Sequence, residues 1–132
     1  MVASHHTRSD DQIWYTDSGA LNHITSDLAN LSIHNAYHGK DHVVVFNASG
    51  LNISHIGSSQ LHHNSSPFKM NNILHCPSVS ANLLYVNQFS RDNDCYFLFD
   101  SDGFCVKDKL TGKMLFCGMS DHGLYPINLC AL

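Results

Sequence analysis

The chain is expected to fold as a single all-β domain, and three observations carry that expectation. Short runs of apolar and β-branched residues recur along the sequence, bounded by Gly, Asn, Ser and Pro clusters. Their spacing of roughly 8–12 residues is that of sandwiches and small barrels. No strand pattern alternates with a long amphipathic helix, so a βαβ arrangement is not expected. With 132 residues, 43% hydrophobic and 14% charged, the chain can fill one ordinary core but not two.

Taken in order, residues 1–12 are polar and read as a disordered tail or linker ahead of a domain spanning 13–128, with 129–132 as a C-terminal tail. Ile13–Thr16 is the first strand. It delivers Asp17 into the bend Asp17-Ser18-Gly19-Ala20, and a second extended piece follows near Leu21–Thr25. Glycine permits a close turn under the carboxylate, and the neighbouring hydroxyl can hold the loop by local hydrogen bonds. By itself the triplet is a common β-turn sequence. Asp27–Ile33 reads as one helical turn capped by Ser26 or Asp27, with Leu28 and Leu31 on one face.

His42–Phe46 and Leu51–Ile56 flank the turn Asn47-Ala48-Ser49-Gly50 and read as a hairpin, which Gly57-Ser58-Ser59 should break. Gln60–His63 and Phe68–His75 form another pair around Asn64–Pro67, ended by Pro77. Asn82–Val86 reads as an apolar strand of buried type, and Asn87–Arg91 as the start of a short helix. Strands at Cys95–Phe99, Phe104–Asp108, Lys113–Gly118 and Leu124–Ile127 complete the chain, separated by turns at Asp100–Gly103 and Leu110–Gly112.

Charge and composition exclude several classes of function. Seven Lys and Arg against eleven Asp and Glu give a formal charge of −4 with no basic run, so direct nucleic-acid binding is not expected. No apolar stretch is long enough to span a bilayer. Cys76, Cys95, Cys105, Cys117 and Cys130 form an odd set without a C-x-x-C pair, which fits reduced thiols in a cytosol-like compartment. The N-x-Ser sequons at Asn30, Asn47, Asn52 and Asn64 are then incidental.

Eleven histidines raise the question of a metal. His34, His38 and His42 recur at helical spacing, but Gly39 and the strand beginning near His42 interrupt any helix that would align them, so neither metal nor other cofactor is expected. His5 and His6 lie in the polar tail, and the neighbours His75 and Cys76 carry no sequence feature that would activate the thiol.

Across about residues 13–127 the chain resembles, in collinear order, the aspartic protease region of copia-type LTR retrotransposon polyproteins. The residues that carry the likeness are Trp14-Tyr15 before Asp17-Ser18-Gly19-Ala20, then His23-Ile24, and Leu51 through Gly57. Further on are Ile73 through Pro77 with Asn82-Leu83-Leu84, Val106-Lys107-Asp108 with Thr111-Gly112, and Gly123 through Pro126.

That resemblance implies a retropepsin-like small closed β-barrel with one or two short helical turns, acting as a homodimer whose active site lies on the two-fold axis. Its substrate would be a polyprotein or peptide in extended conformation, and its setting the cytoplasm, including virus-like particles. Asp17, Ser18 and Gly19 fall on the catalytic motif. One carboxylate activates water while its partner, as the acid, protonates the peptide carbonyl, so a chain with one such triplet holds half a site. Two such carboxylates share a proton and titrate as a coupled pair. Phe46, Asn47, Ala48, Ser49 and Gly50 fall on the flap that would close over substrate, and Ala20, His23, Leu83 and Leu84 on residues supporting the loop. Leu21 stands where the family has Thr or Ser, while Tyr85 and Phe46 stand where it has small residues. The alternative reading is a weakened or domesticated copy that serves as a dimerising or peptide-binding module.

Overall fold

The computed structural model describes residues 12–39, 42–43, 51–64 and 66–131, with 42–43 as backbone. In chain order its strands are β1 (Ile13–Asp17), β2 (His23–Thr25), β3 (Ile33–Ala36), β4 (His42–Val43), β5 (Leu51–Asn52), β6 (His55–His63), β7 (Ser66–His75), β8 (Asn82–Tyr85), β9 (Cys95–Phe99), β10 (Gly103–Asp108), β11 (Met114–Met119), β12 (Pro126–Asn128) and β13 (Cys130–Ala131). A 3-10 turn, Leu28–Asn30, precedes β3, and a helix α1 (Val86–Asn93) follows β8. The mostly-β expectation holds, with both short helical pieces where the sequence puts them.

Local chemistry accounts for those two pieces. The Asp27 carboxylate accepts from Ala29 N–H at 2.9 Å, so Asp27 and not Ser26 is the cap. Helix α1 buries Phe89 completely and stops at Asp94, which takes the left-handed conformation with φ of 47°. Asn93 Nδ2 then reaches Lys69 O at 2.9 Å and its Oδ1 accepts from Lys69 N–H at 2.8 Å, fastening the helix end to β7.

The main sheet runs β12-β1-β8-β2-β7-β6-β13, with β3 also on β6. A second sheet, β11-β10-β9, and a short β4-β5 pair stand apart from it. Trp14, Leu61, Met70, Ile73, Leu84 and Phe89 lie at the centre of the main core, and the second sheet closes it with Phe104, Val106 and Phe116. A smaller cluster, Ile24, Leu74, Cys76 and Val79, sits with Leu83 on the other face.

Four expectations need correction. Residues 129–131 are no tail, because Leu129 is wholly buried and Cys130–Ala131 pair with Leu61–His62 of β6. Burying Leu129 requires its backbone to be satisfied, and its N–H donates to Gln12 O at 2.9 Å. No hydrogen-bonded ladder closes the expected barrel among the described residues, where β12 and β13 are the two ends of the sheet. Leu129 alone joins those strands, so the sheet curls until its ends meet, and it is joined there by covalent chain.

Gly57 does not interrupt the chain either, since β6 runs through it with a register shift between Gly57 and Ser59. A β-carbon at Gly57 would collide with the Ile33 carbonyl oxygen, so this glycine is what lets β3 approach. Finally, Asn82–Val86 is not uniformly apolar strand: Asn82 is a buried polar residue with side-chain partners, and Val86 already belongs to α1.

Candidate functional site

β1 and β8 are parallel, in register from Trp14↔Asn82 to Asp17↔Tyr85. β2 lies antiparallel on the opposite side of β8, through Ile24↔Leu83. Residues 18–22 must therefore cross the end of β8 to bring the chain from one flank to the other. That crossing sets Asp17 at the end of a strand fixed on both edges, by β12 and β8.

Within the loop, Gly19 N–H donates to Asp17 Oδ1 at 2.8 Å, an Asx turn closed by the carboxylate itself. Asp17 is half-buried, Ser18 and Gly19 are exposed, and Leu21 is 82% exposed. Gly19 has no left-handed φ. The bend therefore relies on the aspartate's hydrogen bond and does not need the conformational freedom of glycine.

Three anchors hold the loop's two ends. Thr16 N–H donates to Tyr125 O at 3.2 Å, and its hydroxyl donates to the same oxygen at 3.2 Å. The Tyr125 hydroxyl in turn donates to Asp100 O at 2.7 Å. His23, with no exposed surface, accepts from Tyr85 N–H through Nδ1 at 2.8 Å, tying the start of β2 to the end of β8. That bond requires the neutral ring with its proton on Nε2, an atom without a partner among the described residues. Burial drives the His23 pKa down to about 4 against a smaller opposing pull from Asp92.

The third anchor is a buried polar chain. Asn82 Nδ2 donates to Ile13 O at 3.1 Å, Thr25 Oγ1 donates to Asn82 Oδ1 at 2.7 Å, and Asn30 Nδ2 donates to Thr25 Oγ1 at 2.9 Å. It stitches β1, β8, β2 and the 3-10 turn together. Sequence reading missed it, as it missed the Thr16–Tyr125 contact. The available signal was a pair of polar residues, Thr25 and Asn82, at positions that a strand pattern buries.

Asp17, Ser18, Gly19, Ala20, His23, Leu83 and Leu84 thus lie on and around the β1–β2 loop and the end of β8. Leu84 sits in the main core and Leu83 against the smaller cluster. Tyr85 is accommodated by an edge-on contact with the His23 ring, centroids 6.5 Å apart. Phe46, Asn47, Ala48, Ser49 and Gly50 lie outside the described residues. Before and after them in the chain, β4 and β5 pair through His42↔Asn52 and Val43↔Leu51.

The histidines gather differently from their sequence spacing. His34, His55 and His75 come together, with His55 Nδ1 3.0 Å from His75 Nδ1 and His75 Nε2 3.3 Å from Ser26 O. His63 instead bonds Asn128 O at 2.9 Å. Among the described residues no group of three or more His, Cys, Asp or Glu side chains is arranged to hold a metal ion.

Residues 14–95 match the model of a family described as Pol polyprotein, beta-barrel domain. Over 112 residues, 85% of this chain, the sequence is 42% identical to the retrovirus-related Pol polyprotein from transposon RE1 of Arabidopsis thaliana. It is 38% identical over 112 residues to the corresponding polyprotein from transposon RE2 of the same plant. The chain spans only 8% of the length of each of these curated relatives. No solved structure matches.

Proposed function

Since the chain belongs to the family of Pol polyprotein beta-barrel domains, we propose that it is the aspartic endopeptidase unit of a copia-type retrotransposon polyprotein, cutting that polyprotein as a homodimer. The observation that carries this reading is Asp17, half-exposed at the end of a doubly paired strand, with its carboxylate held by Gly19 N–H at 2.8 Å. An acid poised for chemistry needs a fixed backbone and an accessible oxygen, and this loop supplies both. Two such loops facing each other across a two-fold axis would form the dyad.

In that dyad one Asp17 carboxylate takes a proton from water while the other, protonated, gives its proton to the carbonyl oxygen of the scissile peptide. The tetrahedral product then collapses with proton return to the leaving amine. Leu21, 82% exposed so near the acid, supports the dimeric reading, because a second copy docked on this loop would cover it. The extended substrate would lie beneath the hairpin that begins at β4, inside cytoplasmic virus-like particles, with neither cofactor nor metal taking part.

Leu21 also favours a second reading. Standing in place of the loop hydroxyl, it leaves the loop without that hydrogen-bonding group, which would suit a copy that dimerises or holds peptides with little turnover. Cleavage of peptides spanning junctions of the parent polyprotein decides between them. The wild-type chain should cut and Asp17→Asn should fall to background with an unchanged circular-dichroism spectrum. Equal cleavage by both would overturn the assignment of Asp17, and no cleavage by a dimeric wild type would leave the binding module.

A further inference from the structure

The second sheet carries two cysteines that the proposed reaction does not use. β10 and β11 are antiparallel, and Cys105 stands directly opposite Cys117 in their register. Their side chains point to the outer face, away from the core filled by Phe104, Val106 and Phe116. Cys117 Sγ donates to Met114 Sδ at 3.1 Å, which leaves its sulfur on the outer face beside Cys105. Both are free, Cys117 exposed and Cys105 half-buried, and an open cleft lined by Leu98, Phe99, Phe104 and both cysteines gives access from solvent.

Directly opposed residues in an antiparallel pair have Cα atoms about 4.5–5.5 Å apart, inside the roughly 4.4–6.8 Å that a disulfide spans. From this juxtaposition we propose that Cys105 and Cys117 form a cross-strand dithiol site that low-molecular-weight disulfides such as glutathione disulfide convert to an intramolecular disulfide. The Cys117 thiolate attacks one sulfur of glutathione disulfide, expelling one glutathione thiolate and leaving a mixed disulfide. The Cys105 thiolate then attacks the Cys117 sulfur and expels the second glutathione. Two electrons pass to the oxidant, and the two thiol protons end on the two glutathiones. Cys76 and Cys95 stay out of this exchange because both are buried, which pushes each thiol up to about 11. The proposal is independent of the proteolytic reading.

The neighbouring Cys105 thiol, followed by desolvation, raises the Cys117 thiol above its ordinary value, so exchange should quicken with rising pH. Incubating the reduced full-length chain with glutathione disulfide at about pH 8 tests the site by intact mass and peptide mapping after alkylation. The expected product has lost two hydrogens and yields a Cys105–Cys117 linked peptide. Cys105→Ser should instead stop at a glutathione adduct on Cys117. Geometry is tested by repeating the equilibrium in urea, where the bridge should form at least ~10-fold less readily per unit of oxidant. A wild-type chain that accumulates the glutathione adduct without closing, that links Cys117 to another chain, or that bridges equally well in urea would overturn the proposal.

Discussion

At Gly19 a β-carbon would stand 3.5 Å from Asp17 Oδ1, an ordinary contact, and the backbone there lies outside the left-handed region. Gly19→Ala should therefore cost the fold less than about 1 kcal/mol, measured by urea unfolding. Cleavage should nevertheless drop sharply if main chain at this position must approach substrate. Loss of the fold in that variant would sink the loop geometry. His23 gives the second residue-scale prediction. Its pKa of about 4 lies below the ordinary 6.5, so between those values the unfolded chain binds the extra proton. The stabilisation is complete above 6.5 and is lost as pH falls toward and through 4, on the order of 3 kcal/mol in all. His75, also buried and lowered by that burial, pulls in the same direction. The single tryptophan, Trp14, is fully buried and reports unfolding by fluorescence. Urea midpoints should fall from pH 7 to 4.5, and His23→Gln, whose amide oxygen can still accept from Tyr85 N–H, should flatten that fall. An identical pH dependence in the variant would place the acid sensitivity elsewhere.

Elements differ in how far the sequence foretells them, and the difference follows the range of the bonds involved. The Asp17–Gly19 turn closes over two residues and the Asp27 cap over two, so the local residue types are enough to read them. Asn82 reaches Thr25 across 57 positions and Ile13 across 69, so a period-2 pattern gives the face it occupies but not the partners that make burial tolerable. Likewise β13 is legible only once Leu129 is known to be buried, and Gly57 looks like a breaker until β3 is seen against it. The network itself is testable. Asn82→Leu and Thr25→Val should each cost roughly 2–3 kcal/mol, because each leaves a buried polar group without its partner. The double variant should cost clearly less than the sum, a coupling of about 1 kcal/mol or more in a double-mutant cycle. Strict additivity would show that β1, β8 and β2 are held by packing alone.

For the whole molecule the governing fact is arithmetic: one Asp17-Ser18-Gly19 per chain, on a loop that leaves Leu21 82% exposed. Metal-free hydrolysis through paired carboxylates needs two acids, so under the proposed function the active species must contain two chains. The core does not need the second chain, since Leu129 joins the two ends of the curled sheet within a single copy and the main cluster is filled from one chain. Under the proposed function a folded but inactive monomer is then expected, and dilution should populate it. Specific activity should rise with protein concentration and level off once dimer dominates, while the fluorescence of Trp14 stays constant over the same range. Excess Asp17→Asn chains should poison the wild type, because random pairing converts most wild-type loops into mixed dimers with one competent acid. Leu21→Ser, which restores the loop hydroxyl and removes the exposed hydrophobe, separates two contributions: dimerisation measured by sedimentation should weaken if Leu21 is interface, and turnover per dimer should rise if the hydroxyl matters. Activity independent of concentration, from chains that sediment as monomers and are not poisoned by the inert variant, would remove the half-site argument altogether.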